Sequence, residues 1–236
     1  MLRSLRRKLR RRKPERPIEE QLAGLPEDVV RRLAAMYRGE SQLGTDGARH
    51  EIDRITRISA LQAQQLFELH RRERPALSVE VGLAYGFSTL CFLAAAREHG
   101  GRHVAIDPYA ESSWHGIGLA HARAIATEGT FEHLAAKSSM ALPRLADAGP
   151  RAGLIYVDGN HRFDDVLVDA ILADLLLDEG GLLLLDDTWM PSVQKVLRFL
   201  ERNRTDYCRE ECAEKNLAVL RKVAQDERDW QHFVEF

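Results

Sequence analysis

Asp158, His161, Asp186 and Asp187 are the residues of this chain whose types and spacing most readily do chemistry. The apolar run Leu154-Ile-Tyr-Val157 ends in Asp158-Gly-Asn-His161, and a second run, Gly180 to Leu185, ends in Asp186-Asp187-Thr-Trp189. Three carboxylates gathered at one place repel one another and raise at least one pKa. A hard divalent cation such as Mg2+ removes that strain, takes oxygen ligands and keeps positions open for water or substrate. It can hold two oxygens of a vicinal diol or hydroxy-carbonyl and ease loss of a hydroxyl proton. His161, three residues after Asp158, has an ordinary pKa suited to accepting that proton. The bland alternatives are strand-end acids without a metal and a loop or capping histidine.

A second constellation lies upstream, in Val79-Glu80-Val-Gly82-Leu-Ala-Tyr85-Gly86-Phe-Ser88-Thr89. Gly82 and Gly86 flank a turn between a strand and a helix, where glycine lets backbone approach a ligand closely. The spacing is Gly-x-x-x-Gly rather than the Gly-x-Gly-x-x-Gly of pyrophosphate sites, and a purely structural tight turn fits it equally well. Asp107 closes the next strand, where a carboxylate can accept both hydroxyls of a ribose, although a helix cap or a solvated loop acid is the simpler role. Asp164 and Asp165 read as acids charging a helix N-terminus. His50 and Glu51 read as surface residues within reach of the site, and Trp189 as a pocket wall or ordinary packing.

These residues need a scaffold that gathers strand ends. Helical patterning covers 18–40 and 50–72, separated by the turn-like Gly44-Thr-Asp-Gly47. After Pro75 an alternation begins, with strands at 77–82, 102–107, 131–136, 154–158 and 181–186. Helices are expected at 87–99, 117–128, 139–148, 164–179 and 192–203, and an antiparallel pair at 207–212 and 217–223. Near-continuous apolar strands alternating with helices imply a doubly wound, mostly parallel α/β sheet covered on both faces. Ligands of such sheets bind beyond the carboxyl ends of the strands, where Glu80, Gly82, Asp107, Asp158, Asp186 and Asp187 all fall.

From about residue 45 to 223 the chain resembles the class I S-adenosylmethionine-dependent methyltransferases. It is most similar to their metal-dependent O-methyltransferase branch, which includes macrolide-sugar and catechol-type enzymes. Glu80-x-Gly82-x-x-x-Gly86 is similar to the family's first cofactor motif, and Ile-Asp107-Pro to its ribose-binding acid. Ser138-Ser-Met-Ala-Leu-Pro143 is similar to a loop beside the adenine, and Trp114-His-Gly-Ile-Gly118 also resembles a family segment. The resemblance implies a Rossmann-like, seven-stranded sheet with N-terminal helices. It implies S-adenosylmethionine held by Glu80, Gly82, Tyr85, Gly86, Ser88, Asp107 and Ser138, with its methionine end over Gly82, Tyr85 and Ser88. It also implies Mg2+ or another divalent cation on Asp158, Asp186 and Asp187, with His161 and Asp158 as catalytic residues. The acceptor implied is a hydroxyl of a sugar or hydroxylated natural product. Two alternatives stay open: a metal-dependent relative with different chemistry, such as hydroxylation, and a non-catalytic cofactor-binding protein associated with membrane or nucleic acid.

The charge is distributed unevenly. Of 34 Lys and Arg, nine lie in residues 1–17 beside one acid, Glu15; the remaining 25 bases face 35 of the 36 acids. A basic tail is thus joined to an acidic body, which argues against a broad nucleic-acid surface on the body. Leu2, Leu5 and Leu9 would share one side of a helix, so the tail, expected to be disordered in solution, can contact an anionic membrane peripherally. The division expected is a tail at 1–17, a helical region at 18–75 and a cofactor-binding catalytic domain at 76–236. Three cysteines, Cys91, Cys208 and Cys212, make no disulfide framework. With no apolar run of about 18 residues, the chain reads as cytoplasmic. The partner expected is a small-molecule acceptor; a homo-oligomer is compatible with the sequence but not fixed by it.

Overall fold

The computed structural model describes residues 16–236; all but two residues of the basic tail, and with them the membrane-contacting helix, lie outside the described residues. The element order is α1 (Ile18–Gln21), α2 (Glu27–Tyr37), β1 (Gln42–Leu43), β2 (Arg49–His50), α3 (Ala60–Glu73), β3 (Leu77–Val81), α4 (Phe87–His99), β4 (Arg102–Ile106) and α5 (Ile117–Ile125). It continues with β5 (Phe131–Leu134), α6 (Ser138–Ala148), β6 (Ala152–Val157), α7 (Phe163–Leu176), β7 (Leu177–Leu185), α8 (Pro191–Asn203), β8 (Tyr207–Glu210) and β9 (Ala218–Lys222).

Seven strands form one sheet in the order β5-β4-β3-β6-β7-β9-β8. The pairings from β5 to β7 are parallel, and β9 runs antiparallel to both of its neighbours. The order reverses between β3 and β6, whose carboxyl ends therefore frame the crevice of a doubly wound sheet. Alternation along the strands sorts the core onto two faces. Leu154, Tyr156, Leu182 and Leu184 pack with α2, α3, α4 and α5, while Val79, Ile155, Val157, Leu183 and Leu185 pack with α6, α7 and α8. The central strands bury both faces, which is why β6 and the second half of β7 are apolar throughout.

The expected helices at 18–40 and 50–72 are shorter than their patterning. Pro26 separates α1 from α2, since proline cannot donate within a helix and clashes with the preceding turn. Residues 51–58 are not helical. There Asp53 accepts hydrogen bonds from the backbone N–H of Ile55 and Thr56, both at 2.8 Å, a local competitor of helix formation. Ser59 then starts α3 as its cap, its side chain accepting from Gln62 N. A two-strand hairpin, β1–β2, was not expected from the sequence. The helix expected to run to Glu179 ends at Leu176, where the chain enters β7 and Leu177 pairs with Ala152.

Candidate active site

The carboxyl ends of β3, β4, β6 and β7 open onto a cleft of about 1180 Å³. This exceeds the usual upper range of about 1,000 Å³ for a pocket holding one small ligand, so it has room for two. Gly82, Tyr85, Ser88, Asp107 and Ser138 line one part, and Asp158, His161, Asp186 and Asp187 another. The two constellations read from the sequence therefore meet in one cavity.

The glycine turn is fixed by contacts as well as by conformation. Gly82 has φ +95°, and a Cβ there would stand 2.2 Å from the carbonyl oxygen of Asp158. Gly86 has φ +84°, and its Cβ would meet Gly118 Cα at 2.9 Å. Gly118 is closed off in return, its Cβ falling 2.2 Å from Leu83 Cδ2. Gly118 belongs to the Trp114–Gly118 segment, whose placement now has a steric reason. Asp107 secures the same turn: Oδ2 accepts from Leu83 N at 3.1 Å and Ala84 N at 2.9 Å, while Oδ1 accepts from Tyr109 N at 2.7 Å. Each carboxylate oxygen can accept more than one hydrogen bond, so capacity remains for a ligand hydroxyl. Tyr85 stands edge-on to Trp114, centroids 5.0 Å apart, and donates to Asp53 Oδ2 at 3.3 Å.

Glu80 differs from its expected place. Its carboxylate does not line the cleft; it is wholly buried behind the turn, accepting from Ser88 Oγ at 2.9 Å and from Thr89 Oγ1. Glu80 thus anchors the first turn of α4, and Ser88 spends its hydroxyl on that anchor. A buried polar file continues beneath the turn. His103 Nε2 lies 3.3 Å from Glu80 Oε1, and Ser78 Oγ lies 2.9 Å from both His103 Nδ1 and His70 Nε2. Burial pulls His70 far down, so its ring is neutral.

Among the acids, the described residues bring the ligand atoms of Asp158, His161 and Asp187 within 4.8 Å of one another. His161 Nε2 stands 3.4 Å from Asp158 Oδ1 and 3.1 Å from Asp187 Oδ2, yet makes no well-formed hydrogen bond. Asp186 sits behind this group rather than in it. Its Oδ2 accepts from the Tyr156 hydroxyl and its Oδ1 from Asp187 N at 2.7 Å. The expected trio of carboxylates is therefore redistributed, with histidine in the converging set and Asp186 one step deeper. The cause is register, because Asp186 continues the buried β7 while Asp187 turns outward with φ +51°. Aspartate tolerates that left-handed conformation better than most residues.

Several partners were not legible in the sequence. Tyr156, fully buried, also lies 3.1 Å from Asp158 Oδ2, and Gln62 Nε2 donates to it at 3.3 Å. Its single hydroxyl proton serves one carboxylate at a time. Asn216 and Trp189 donate to Asp187 Oδ1 at 3.0 and 2.8 Å, turning Oδ2 toward His161. Burial raises Asp158 above the usual carboxylate range despite the attraction of His161, and burial together with Asp158 raises Asp186. The adjacent Asp158 carboxylate raises His161. Protons thus offset the crowding that a cation would otherwise relieve. The carboxylates of Asp158 and Asp187, converging on a polar cleft, fit a divalent cation, and the orphaned His161 Nε2 beside them keeps its lone pair for a proton. Asp169 is a further acid in the cleft wall; burial pushes it up to about 6. Its signal was available, since it interrupts the buried stripe Val166, Ala170, Ala173 of α7. Asp164 and Asp165 lie in the first turn of that helix, as expected.

Residues 79–188 match the family model described as a methyltransferase domain. No curated protein sequence matches the chain significantly. Among solved structures, TomG of Streptomyces achromogenes, an O-methyltransferase involved in tomaymycin synthesis and seen with SAM, is 19% identical. That match covers 88% of this chain and 96% of TomG with a TM-score of 0.67. The SAH-bound methyltransferase PaMTH1 of Podospora anserina is 14% identical over 88% of this chain and 92% of its own, TM-score 0.65. An O-methyltransferase of Bacillus cereus in complex with SAH is 17% identical over 89% and 92%, TM-score 0.59. Likeness at these identities establishes the fold, with the strand order already described. Over residues 79–188 the chain is similar to a methyltransferase domain, and its fold is the one these solved methyltransferases share.

Proposed function

We propose that the protein transfers the methyl group of S-adenosylmethionine to a hydroxyl of a sugar or other polyhydroxylated small molecule, with a Mg2+-class cation. The observation that carries the reading is the meeting of the Gly82–Gly86 turn with Asp158, His161 and Asp187 in one cleft with room for two ligands. Asp107 and the turn it secures hold the ribose side of the cofactor, Tyr85 borders its methionine end, and Ser138 stands at the adenine side. Glu80 and Ser88 act by fixing the start of α4. Asp158 and Asp187 hold the cation, with Asp186 supplying negative charge from directly behind and Tyr156 and Asn216 keeping the carboxylates aimed.

When bound, the cofactor supplies an activated methyl group, and the cation lowers the pKa of the acceptor hydroxyl and orients it. His161 Nε2 takes the hydroxyl proton as the new oxygen–carbon bond forms and the sulfur–carbon bond breaks. Little covalent help is needed, so the residues contribute mainly alignment, up to about 7–11 kcal/mol in favourable cases. The test is methyl transfer from labelled S-adenosylmethionine to a panel of sugars, catechols and monohydric alcohols. Transfer to vicinal hydroxy compounds and not to simple alcohols is expected; cofactor binding without transfer to any acceptor would favour a binding protein instead.

A further inference from the structure

Asp46, His50 and His115 form a second group of converging donors, outside the cleft. One carboxylate oxygen and two imidazole nitrogens lie within 4.8 Å of one another. His50 Nε2 is 2.8 Å from Asp46 Oδ2; the rings of His50 and His115 lie face to face, 3.9 Å between centroids and 2° from parallel, so one imidazole must turn out of the stack for both nitrogens to meet one ion. Sequence distance makes this convergence notable: Asp46 lies in the hairpin turn and His50 in β2, whereas His115 lies some 65 positions further on, just before α5.

The backbone around the group is closely fitted. Thr45 N donates to the carbonyl of His115 at 3.1 Å. A Cβ on Gly44 would stand 2.4 Å from that carbonyl, and one on Gly116 would stand 2.1 Å from Thr45 Oγ1. Asp46 is itself held in place, its Oδ1 accepting from Ala48 N at 2.9 Å. His115 has φ +53°, a left-handed conformation that costs a residue with a Cβ about 1 kcal/mol or more. The chain thus places an imidazole, at a conformational cost, where a second imidazole and a carboxylate wait. Asp46 and His115 are exposed, so solvent can reach the group.

We propose that Asp46, His50 and His115 bind a zinc-class dication, at a site distinct from the cleft carboxylates, that clips the β1–β2 hairpin to the loop carrying Trp114. Two imidazoles and one carboxylate, with water completing a tetrahedron, suit Zn2+ and its neighbours rather than Mg2+, which prefers oxygen. The clip bears on the cleft through one covalent step and one contact. His115 follows Trp114, whose ring meets Tyr85, and Tyr85 lines the cleft. The inference does not depend on the methyltransferase reading.

The experiment uses the untagged full chain carrying Asp158→Asn and Asp187→Asn, so that the two converging cleft carboxylates are removed. Zn2+ is titrated by calorimetry in excess Mg2+, and Co2+ serves as the absorbing probe. One equivalent of Zn2+ is expected, with Co2+ giving the visible bands of a tetrahedral nitrogen–oxygen site. His50→Asn and His115→Asn, each added to that background, should weaken binding at least about tenfold, since loss of a ligand exceeds the effect of losing its support. Circular dichroism and melting curves verify that each variant is folded, and His50→Cys should restore binding with a thiolate band. Absence of Zn2+ binding in the parent overturns the proposal. So does undiminished affinity in both histidine variants, or a thiolate band in the parent, which would place the ion on a cysteine.

Discussion

At the scale of single residues, the site divides into groups that face the cleft and groups that hold them there. Asp107 does both, because the carboxylate that would receive ribose hydroxyls also accepts three backbone N–H groups of the turn and the following loop. Asp107→Ala should weaken S-adenosylmethionine binding about tenfold or more in calorimetry, the loss expected for charge-assisted hydrogen bonds of about 1.5–3 kcal/mol. An unchanged dissociation constant would remove Asp107 from the cofactor site. His161 is raised above its ordinary value by Asp158, and a base works only when unprotonated. The rate should therefore fall as pH drops through that raised pKa. His161→Ala should lower kcat about 100-fold or more and lose this acidic limb; a variant that keeps the limb assigns the proton to another group.

At the scale of elements, close contacts explain why the glycines stand where they do. Gly82→Ala forces a methyl against the Asp158 carbonyl in a left-handed conformation, and Gly118→Ala forces one into Leu83 and Ala84. Each should destabilise the fold by about 2 kcal/mol or more, read as a lower denaturation midpoint. Gly180, with φ +84° and nothing within 4 Å, is the control, and its alanine variant should cost less. The strand–helix alternation after Pro75 was legible because apolar runs and helical periodicity are local signals. The strand ends were legible for the same reason, and with them Asp107, Asp158, Asp186 and Asp187. What escaped depends on register and on distant partners. Tyr156 reads as one more residue of an apolar strand until its hydroxyl is seen between two carboxylates. Glu80 reads as a cofactor ligand until Ser88 and Thr89 are seen to occupy it. Asn216 lies on the loop before β9, 29 residues from Asp187, and no spacing rule connects them. Residues 51–58 kept a helical pattern while Asp53 directed their backbone elsewhere.

At the scale of the whole molecule, the N-terminal helices and the sheet share one core, since Leu22, Leu33 and Phe67 lie in the same buried cluster as Tyr156 and Leu184. No helix among the described residues is long and apolar enough to cross a membrane. The molecule also gives up stability at its cleft. Asp169 is raised from the ordinary 3.8 to about 6 by burial, so between these values the folded chain binds more protons than the unfolded chain. Its contribution is fully present below pH 3.8 and is lost as pH rises toward 6. A shift of this size corresponds to about 3 kcal/mol, and Asp169→Asn should raise the melting temperature at pH 7 but not at pH 3.5 or so. An equal effect at both values would show that its carboxylate is satisfied when charged. The most direct test of the central claim is methyl transfer to a vicinal-diol acceptor, with S-adenosylmethionine binding measured on the same samples before and after exhaustive chelation. We expect chelation to abolish transfer, Mg2+ to restore it, cofactor affinity to stay within about threefold, and Asp187→Asn to resist the restoration. Full transfer after chelation would contradict the cation-dependent mechanism assigned to Asp158, Asp187 and His161.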